Sequence, residues 1–244
     1  MRALIFAAGL GERMRPLTEH TPKPLLEAGG KPLIAWHLEK LAAAGVDHVV
    51  VNTSWLATRY PAALGDGSRW GLRLNYSYEG DTPLETGGGM LHALERLRDP
   101  HDADAPFLAV NGDIWTDYDF TRLPRTLAGA AHLVLVDNPA QHPGGDFALD
   151  AASRVDATSA PRLTFAGIGL YRPSLLDGWR EVIGDSADAA RTPPRFSIVP
   201  LLRAAMARGA VSGEHHRGRW TDVGTPQRLA TLDAELSRAA ATGR

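Results

Sequence analysis

The chain has 244 residues, 44% of them hydrophobic and 22% charged, enough for one substantial α/β domain with a buried core. A formal net charge of -2 supplies no global basic field, so nucleic acid is not an expected partner and any polyanionic ligand has to be held by a local cluster. The absence of cysteine excludes disulfides, thiolate catalysis and Cys-type zinc sites, and permits a reducing cytoplasm.

The first apolar run, residues 3–8, is far shorter than a membrane span and leads straight into Gly9, Glu12, Arg13 and Arg15. It reads as a buried strand opening a loop, and the protein is expected to be cytoplasmic with no membrane partner. Further strands are predicted at 48–53, 72–79, 107–111, 132–137, 147–150 and 162–170. Between them, apolar residues at three- and four-residue spacing predict helices at 32–44, 89–97, 174–183, 198–207 and 226–239. Pro32 and Pro226 suit helix starts, and Gly45 and Gly209 suit helix ends. The alternation predicts one α/β domain over 1–244, a single-domain Rossmann-like fold whose mostly parallel sheet carries helices on both faces. Residues 184–194, rich in Asp, Ala, Arg and Pro, read as an exposed loop. So few residues follow the last helix that no further C-terminal module is expected.

The segment Ala7-Ala8-Gly9-Leu10-Gly11-Glu12-Arg13 leaves the first strand as a glycine loop. Glycine lets backbone approach a phosphate closely and exposes N–H donors. A dinucleotide-binding loop would need glycine where Met14 stands and an acid where Asn52 stands; a P-loop would need Gly-Lys-Ser/Thr, which is missing. A tight turn with solvated arginines is the plain alternative. Close behind, Thr21-Pro22-Lys23-Pro24-Leu25 sets a lysine between prolines that restrict its backbone. A lysine so held within reach of such a loop can neutralise a phosphoryl group as a point charge.

Together, Ala-Ala-Gly-x-Gly-x-Arg and Pro-Lys-Pro resemble the signature of the sugar-nucleotide pyrophosphorylases, the sugar-1-phosphate nucleotidyltransferases. The resemblance implies that Gly9, Gly11, Glu12 and Arg13 hold the triphosphate and that Lys23 contacts the reacting phosphates, with Arg13 and Lys23 as the catalytic pair. Many members carry Thr or Ser where Glu12 stands.

Phe107-Leu108-Ala109-Val110-Asn111-Gly112-Asp113 is an apolar strand delivering a carboxylate to its carboxyl end, where open α/β sheets bind ligands. Far downstream, Trp220-Thr221-Asp222-Val223-Gly224-Thr225 places another before the last helix. Either aspartate alone would pass for a cap or turn residue. Magnesium, however, is commonly held by one or two carboxylates together with substrate phosphates. The resemblance implies that Asp113 and Asp222 are the metal pair, with Mg2+ as cofactor. Asp117 and Asp119 read as turn and cap residues.

Leu84-Glu85-Thr86-Gly87-Gly88-Gly89 is a glycine-rich helix start offering N–H groups and close approach, or else a flexible turn. The resemblance implies nucleotide contacts at Glu85, Thr86, Gly88 and Asn111, although Glu85 replaces the family's first glycine in this stretch. It implies a sugar pocket at Gly145, Asp146 and Gly167, with Asn52 also facing the cleft. His215 and His216 point apart on a strand and are expected at the surface.

The runs Leu-Glu-Thr-Gly-Gly-Gly, Val-Asn-Gly-Asp-Ile-Trp-Thr-Asp and Gly-Arg-Trp-Thr-Asp-Val-Gly-Thr-Pro resemble one branch more closely, the N-acetylmuramate α-1-phosphate uridylyltransferases of cell-wall recycling. The implied partners are UTP and a sugar 1-phosphate, acted on by a monomer whose N-terminal part binds nucleotide and whose C-terminal part binds sugar, without a β-helix tail. Competing expectations are a mannose-1-phosphate guanylyltransferase and a catalytically silent sugar-nucleotide-binding subunit.

Overall fold

The computed structural model describes residues 1–242. From the N-terminus come β1 (Arg2–Phe6), the two-residue strands β2 (Glu27–Ala28) and β3 (Lys31–Pro32), α1 (Leu33–Ala43), β4 (His48–Thr53), α2 (Arg59–Leu64), β5 (Arg73–Tyr78) and α3 (Glu85–Leu97). β6 (Phe107–Asn111), β7 (Ile114–Thr116), β8 (Ala131–Val136), β9 (Phe147–Leu149), β10 (Val155–Asp156) and β11 (Arg162–Tyr171) follow. The chain then forms α4 (Trp179–Ile183), α5 (Val199–Ala207), β12 (Val211–His216), β13 (Trp220–Asp222) and α6 (Pro226–Ala241).

β5, β4, β1 and β6 lie side by side and parallel. β11 is antiparallel to both β6 and β8, and β12 runs parallel to β8. Consequently β1, β4, β5, β6, β8 and β12 all end at one edge of the sheet, and the loops leaving that edge carry the predicted ligand residues. The register fixes their level, since Phe6 at the end of β1 pairs with Asn52 on one side and Asn111 on the other.

Alternation along the strands sends neighbouring side chains to opposite faces. Ala3, Ile5, Val49, Val51, Leu108 and Val110 pack under Ile34, Leu38 and Leu41 of α1. Leu4, Val50, Phe107 and Ala109 face the other way, against Met90, Leu94 and Leu97 of α3 and Leu201 and Leu202 of α5. Helices therefore cover both faces, as the sequence predicts. A smaller cluster of Leu229, Leu232 and Leu236 seats α6 against Met14, Leu33 and Trp115, so the last helix braces the first loop. Among the described residues no helix is long and apolar enough to cross a membrane.

Several elements depart from expectation. α3 begins at Glu85 rather than residue 89, because the glycines of its first turn are helical and packed. The helix expected over 174–183 breaks into a short 3-10 turn at Pro173–Leu176 and α4, separated by Gly178 in a left-handed conformation (φ 63°). β12 and the β7–β13 ribbon went unpredicted, being respectively polar and very short.

Candidate active site

A cleft of about 550 Å³ opens at the carboxyl edge of β1, β4 and β6. Gly9, Gly11, Glu12, Arg13, Lys23, Asn52, Glu85, Thr86, Asn111 and Asp113 all line it, drawn together from stretches far apart in sequence. Gly88, Gly145, Asp146, Gly167 and Asp222 are absent from that lining.

The loop after β1 turns on Gly11, which adopts φ 67° and sits so close to Thr18 that an added Cβ would lie 2.8 Å from its methyl group. Thr18 Oγ1 donates to the Gly11 carbonyl at 2.8 Å, clamping the turn that feeds the short helix Glu12–Met14. Arg13 on that helix is exposed and makes no ion pair or hydrogen bond among the described residues, leaving its guanidinium free over the cleft. Lys23 differs sharply, being only 8% exposed, with Nζ 2.6 Å from Asp113 Oδ2. A buried ammonium requires a partner, and the carboxylate after β6 supplies it.

β7 and β13 form an antiparallel ribbon in which Asp222 pairs with Ile114, and the Val223 N–H donates to the Asp113 carbonyl at 2.9 Å. The two aspartates expected to hold a metal are thereby made neighbours. Asp222 is held by Gln141 Nε2, 2.7 Å from Oδ1, and by Arg228 on Oδ2. Asp113 keeps Oδ1 unspent among the described residues. Hard carboxylate oxygens fit magnesium, and the described residues offer no group of three or more His, Asp or Glu here. That donor set suits an ion completing its shell from phosphate and water.

The end of the cleft near Glu85 is organised by a buried relay. Asn52 Oδ1 accepts from the Ala7 N–H at 2.6 Å, and its Nδ2 donates to Glu79 Oε1 at 2.6 Å. Glu79 Oε2 accepts from the Leu84 N–H at 2.8 Å. Burial pushes the Glu79 carboxyl above its usual range, against these stabilising bonds. Asn52, expected to face the cleft, lines it, and its amide joins the glycine loop to the loop before α3. Gly88 stands outside the cleft lining. Its N–H, like that of Gly87, donates to the Phe196 carbonyl, and a Cβ there would run into the Pro194 carbonyl. Gly87 and Gly88 thus admit a strap at 194–198, and Gly89 admits the Glu79 and Asn52 side chains.

At the far end, β11 bulges between Phe165 and Ile168, with Gly167 at φ 74° packed so tightly on Asn111 that a Cβ would approach its Nδ2 to 2.6 Å. Asn111 makes no side-chain hydrogen bond among the described residues and stands between the phosphate end and this bulge. Asp146 closes the bulge: Oδ2 accepts from the Phe165 N–H at 2.8 Å, and Oδ1 lies 3.1 Å from His142 Nε2. Gly145 turns at φ 60° against Arg162 backbone. Gly145, Asp146 and Gly167, expected to form a sugar pocket, thus shape backbone outside the cleft lining, with the Asp146 carboxylate bonded to Phe165 and His142.

Asp119 caps the turn it was expected to cap, accepting from the Thr121 N–H. His216 contradicts its surface placement: it is buried on β12, with Nε2 2.8 Å from Asp117 Oδ1. Sequence reasoning assigned no role to Gln141, Arg228 or Arg195; Gln141 and Arg195 reach Asp222 and Glu85 across long chain separations, whereas Arg228 reaches Asp222 from the first turns of α6, six residues on. The loop 184–194 is largely exposed as expected, yet Ala189 is buried and Asp188 is bound to Arg195.

A model of the nucleotidyl transferase family matches residues 2–145. The chain is 45% identical to a Neisseria meningitidis serogroup B protein named N-acetylmuramate alpha-1-phosphate uridylyltransferase, over 96% of this chain and 97% of that one. Identity to the Caulobacter vibrioides protein of the same name is 34%, over 97% of each. A Mycobacterium tuberculosis mannose-1-phosphate guanylyltransferase is 31% identical, over 97% of this chain and 64% of its own length. A solved Bacillus anthracis structure shares the fold at TM-score 0.79 and 20% identity, covering 97% of this chain and 95% of that one. The chain belongs to the sugar-1-phosphate nucleotidyltransferase family.

Proposed function

We propose that this protein transfers UMP from UTP to N-acetylmuramate α-1-phosphate, releasing pyrophosphate, as a magnesium-dependent step of peptidoglycan recycling in the cytoplasm. The observation that carries the reading is 45% identity over nearly the full length of both chains to a protein named for that reaction. The cleft supplies what the chemistry asks.

The reaction is an in-line displacement in which a phosphate oxygen of the sugar 1-phosphate attacks the α-phosphorus and the α–β bridging bond breaks. Such transfers depend on positioning and charge stabilisation and need no nucleophilic side chain. Arg13, free over the glycine loop, holds the β and γ phosphates as a fork of donors. Lys23, released from part of its pairing with Asp113, faces the charge that grows around the α-phosphorus. Asp113 and Asp222 would hold magnesium, which when bound neutralises phosphate charge.

Pyrophosphate release with UTP, GTP, dTTP and CTP against N-acetylmuramate, N-acetylglucosamine, glucose and mannose 1-phosphates tests the reading. Preference for UTP with N-acetylmuramate 1-phosphate is expected. Preference for GTP with mannose 1-phosphate would replace it by the reaction for which the 31% relative is named, and nucleotide binding without release would replace it by the silent subunit.

A further inference from the structure

Glu85 occupies a left-handed backbone conformation, φ 62°, at the first residue of α3 and at the base end of the cleft. A residue with a Cβ pays for this conformation, and such strain persists where surrounding contacts impose it. The contact here is Arg195. Its Nη2 lies 2.9 Å from Glu85 Oε1, its Nη1 2.7 Å from Asp188 Oδ2, and its Nε donates to the Pro83 carbonyl at 3.1 Å.

The strap that carries Arg195 is itself pinned to the same turn. The Phe196 N–H donates to the Leu84 carbonyl, the Phe196 carbonyl receives the N–H groups of Gly87 and Gly88, and the Ile198 N–H donates to Thr86 Oγ1. Phe196 stacks on Trp179 with ring centroids 4.5 Å apart, which anchors the strap in the core. The N–H groups of Glu85 and Thr86 take no acceptor among the described residues. Two backbone donors are thus left at the cleft wall while their neighbours are consumed.

We propose that Arg195 is a positioning residue for nucleotide recognition: it holds the Glu85 peptide in its left-handed conformation and so presents the Glu85 and Thr86 N–H groups to the nucleobase. This rests on the nucleotidyltransferase reading of the cleft. The Glu85 carboxylate serves as the handle by which Arg195 grips the turn, not as the group that reads the base. Without the grip, the turn relaxes toward ordinary φ values and only a fraction of molecules present the donors, which lowers apparent affinity by that fraction.

The test compares Arg195→Ala, Glu85→Ala, Glu85→Gly and the double variant Glu85→Gly/Arg195→Ala, measuring KM for the nucleotide and kcat separately. Arg195→Ala is expected to raise KM about fivefold, equivalent to about 1 kcal/mol, with kcat within twofold. Glu85→Gly is expected to have a KM several-fold below that of Glu85→Ala, because both lack the carboxylate and only glycine is at ease at φ 62°. Adding Arg195→Ala to Glu85→Gly should change KM by less than twofold. Equal KM values for Glu85→Ala and Glu85→Gly would overturn the proposal in favour of base reading by the carboxylate, as would an unchanged KM in Arg195→Ala. Using whichever nucleotide the unmodified protein prefers, in turnover or in calorimetric binding, keeps this comparison readable if UTP proves the wrong substrate.

Discussion

Lys23 and Asp113 form the one ion pair that, among the described residues, joins the loop after β1 to the loop after β6, at 2.6 Å and with the lysine side chain almost wholly buried. Each partner neutralises the other, and both line the cleft proposed to take the phosphates. Lys23→Ala removes the cation expected at the α-phosphorus and leaves Asp113 without its partner; Asp113→Ala leaves an unpaired buried ammonium. Pyrophosphate release should fall about a hundredfold or more in either variant, with the circular dichroism spectrum of the folded protein retained. Normal turnover in Lys23→Ala would remove that lysine from the mechanism.

Asp222 reaches the same place through the β7–β13 ribbon, steadied by Gln141 and Arg228. Chelation of divalent ions should abolish turnover, and added magnesium should restore it. Asp222→Asn keeps the size but loses the charge and sets an NH2 group against one of the two donors, Gln141 or Arg228, so it should need a severalfold higher magnesium concentration for half-maximal rate. An unchanged magnesium requirement in Asp222→Asn would take this residue out of the metal site.

The Asn52–Glu79 relay predicts a stability effect in place of a direct ligand effect. Asn52→Ala strands the Ala7 N–H and Glu79 Oε1 in a buried setting, and each unpaired group costs about 1–3 kcal/mol. For a chain of this size every kcal/mol lowers Tm by about 2–4 °C, so thermal unfolding should shift down by several degrees. Addition of nucleotide should still raise Tm in the variant. Loss of nucleotide response without any loss of Tm would return Asn52 to the role of a ligand contact.

These relationships differ in how far the chain itself announces them. The run from Ala3 to Ala8, the proline-flanked Lys23 and the strand ending at Asp113 carry local chemistry that needs no partner to be read, and the cleft is built on them. Gln141 and Arg195 are ordinary polar residues until the fold brings Asp222 and Glu85 to them, and Arg228, six residues past Asp222, needs the turn into α6 to reach back. Asn52 was located at the cleft, but its hydrogen bonds are set by β1 and β5 neighbours that spacing cannot supply. The glycines at 87–89 are hard to read because one composition serves several ends: room for a ligand, or, as here, room for residues 194–196 at Gly87 and Gly88 and for the Glu79 and Asn52 side chains at Gly89. β12 was missed because Ser212, Glu214 and His216 are polar on a strand whose burial comes from pairing with β8 and from Asp117, Tyr118 and His132.

His37 gives the fold a pH dependence whose sign follows from its surroundings. It is fully enclosed on α1, with Nε2 2.9 Å from the Ile114 carbonyl just behind Asp113. A carbonyl only accepts, so Nε2 carries the proton, and the buried Nδ1 has no partner among the described residues. Burial lowers the pKa from 6.5 to about 4, with Lys40 pushing the same way and the Ile114 carbonyl and Asp113 opposing. The folded protein thus holds His37 neutral while the unfolded chain binds a proton below pH 6.5. The resulting stability is fully present above pH 6.5 and is lost as pH falls toward 4, at up to about 1.4 kcal/mol per pH unit. Urea unfolding between those limits should show a steeper decline in the natural protein than in His37→Gln, where that titration is gone. Equal slopes in the two proteins would mean that His37 is protonated in the folded state and that its enclosure carries no proton linkage.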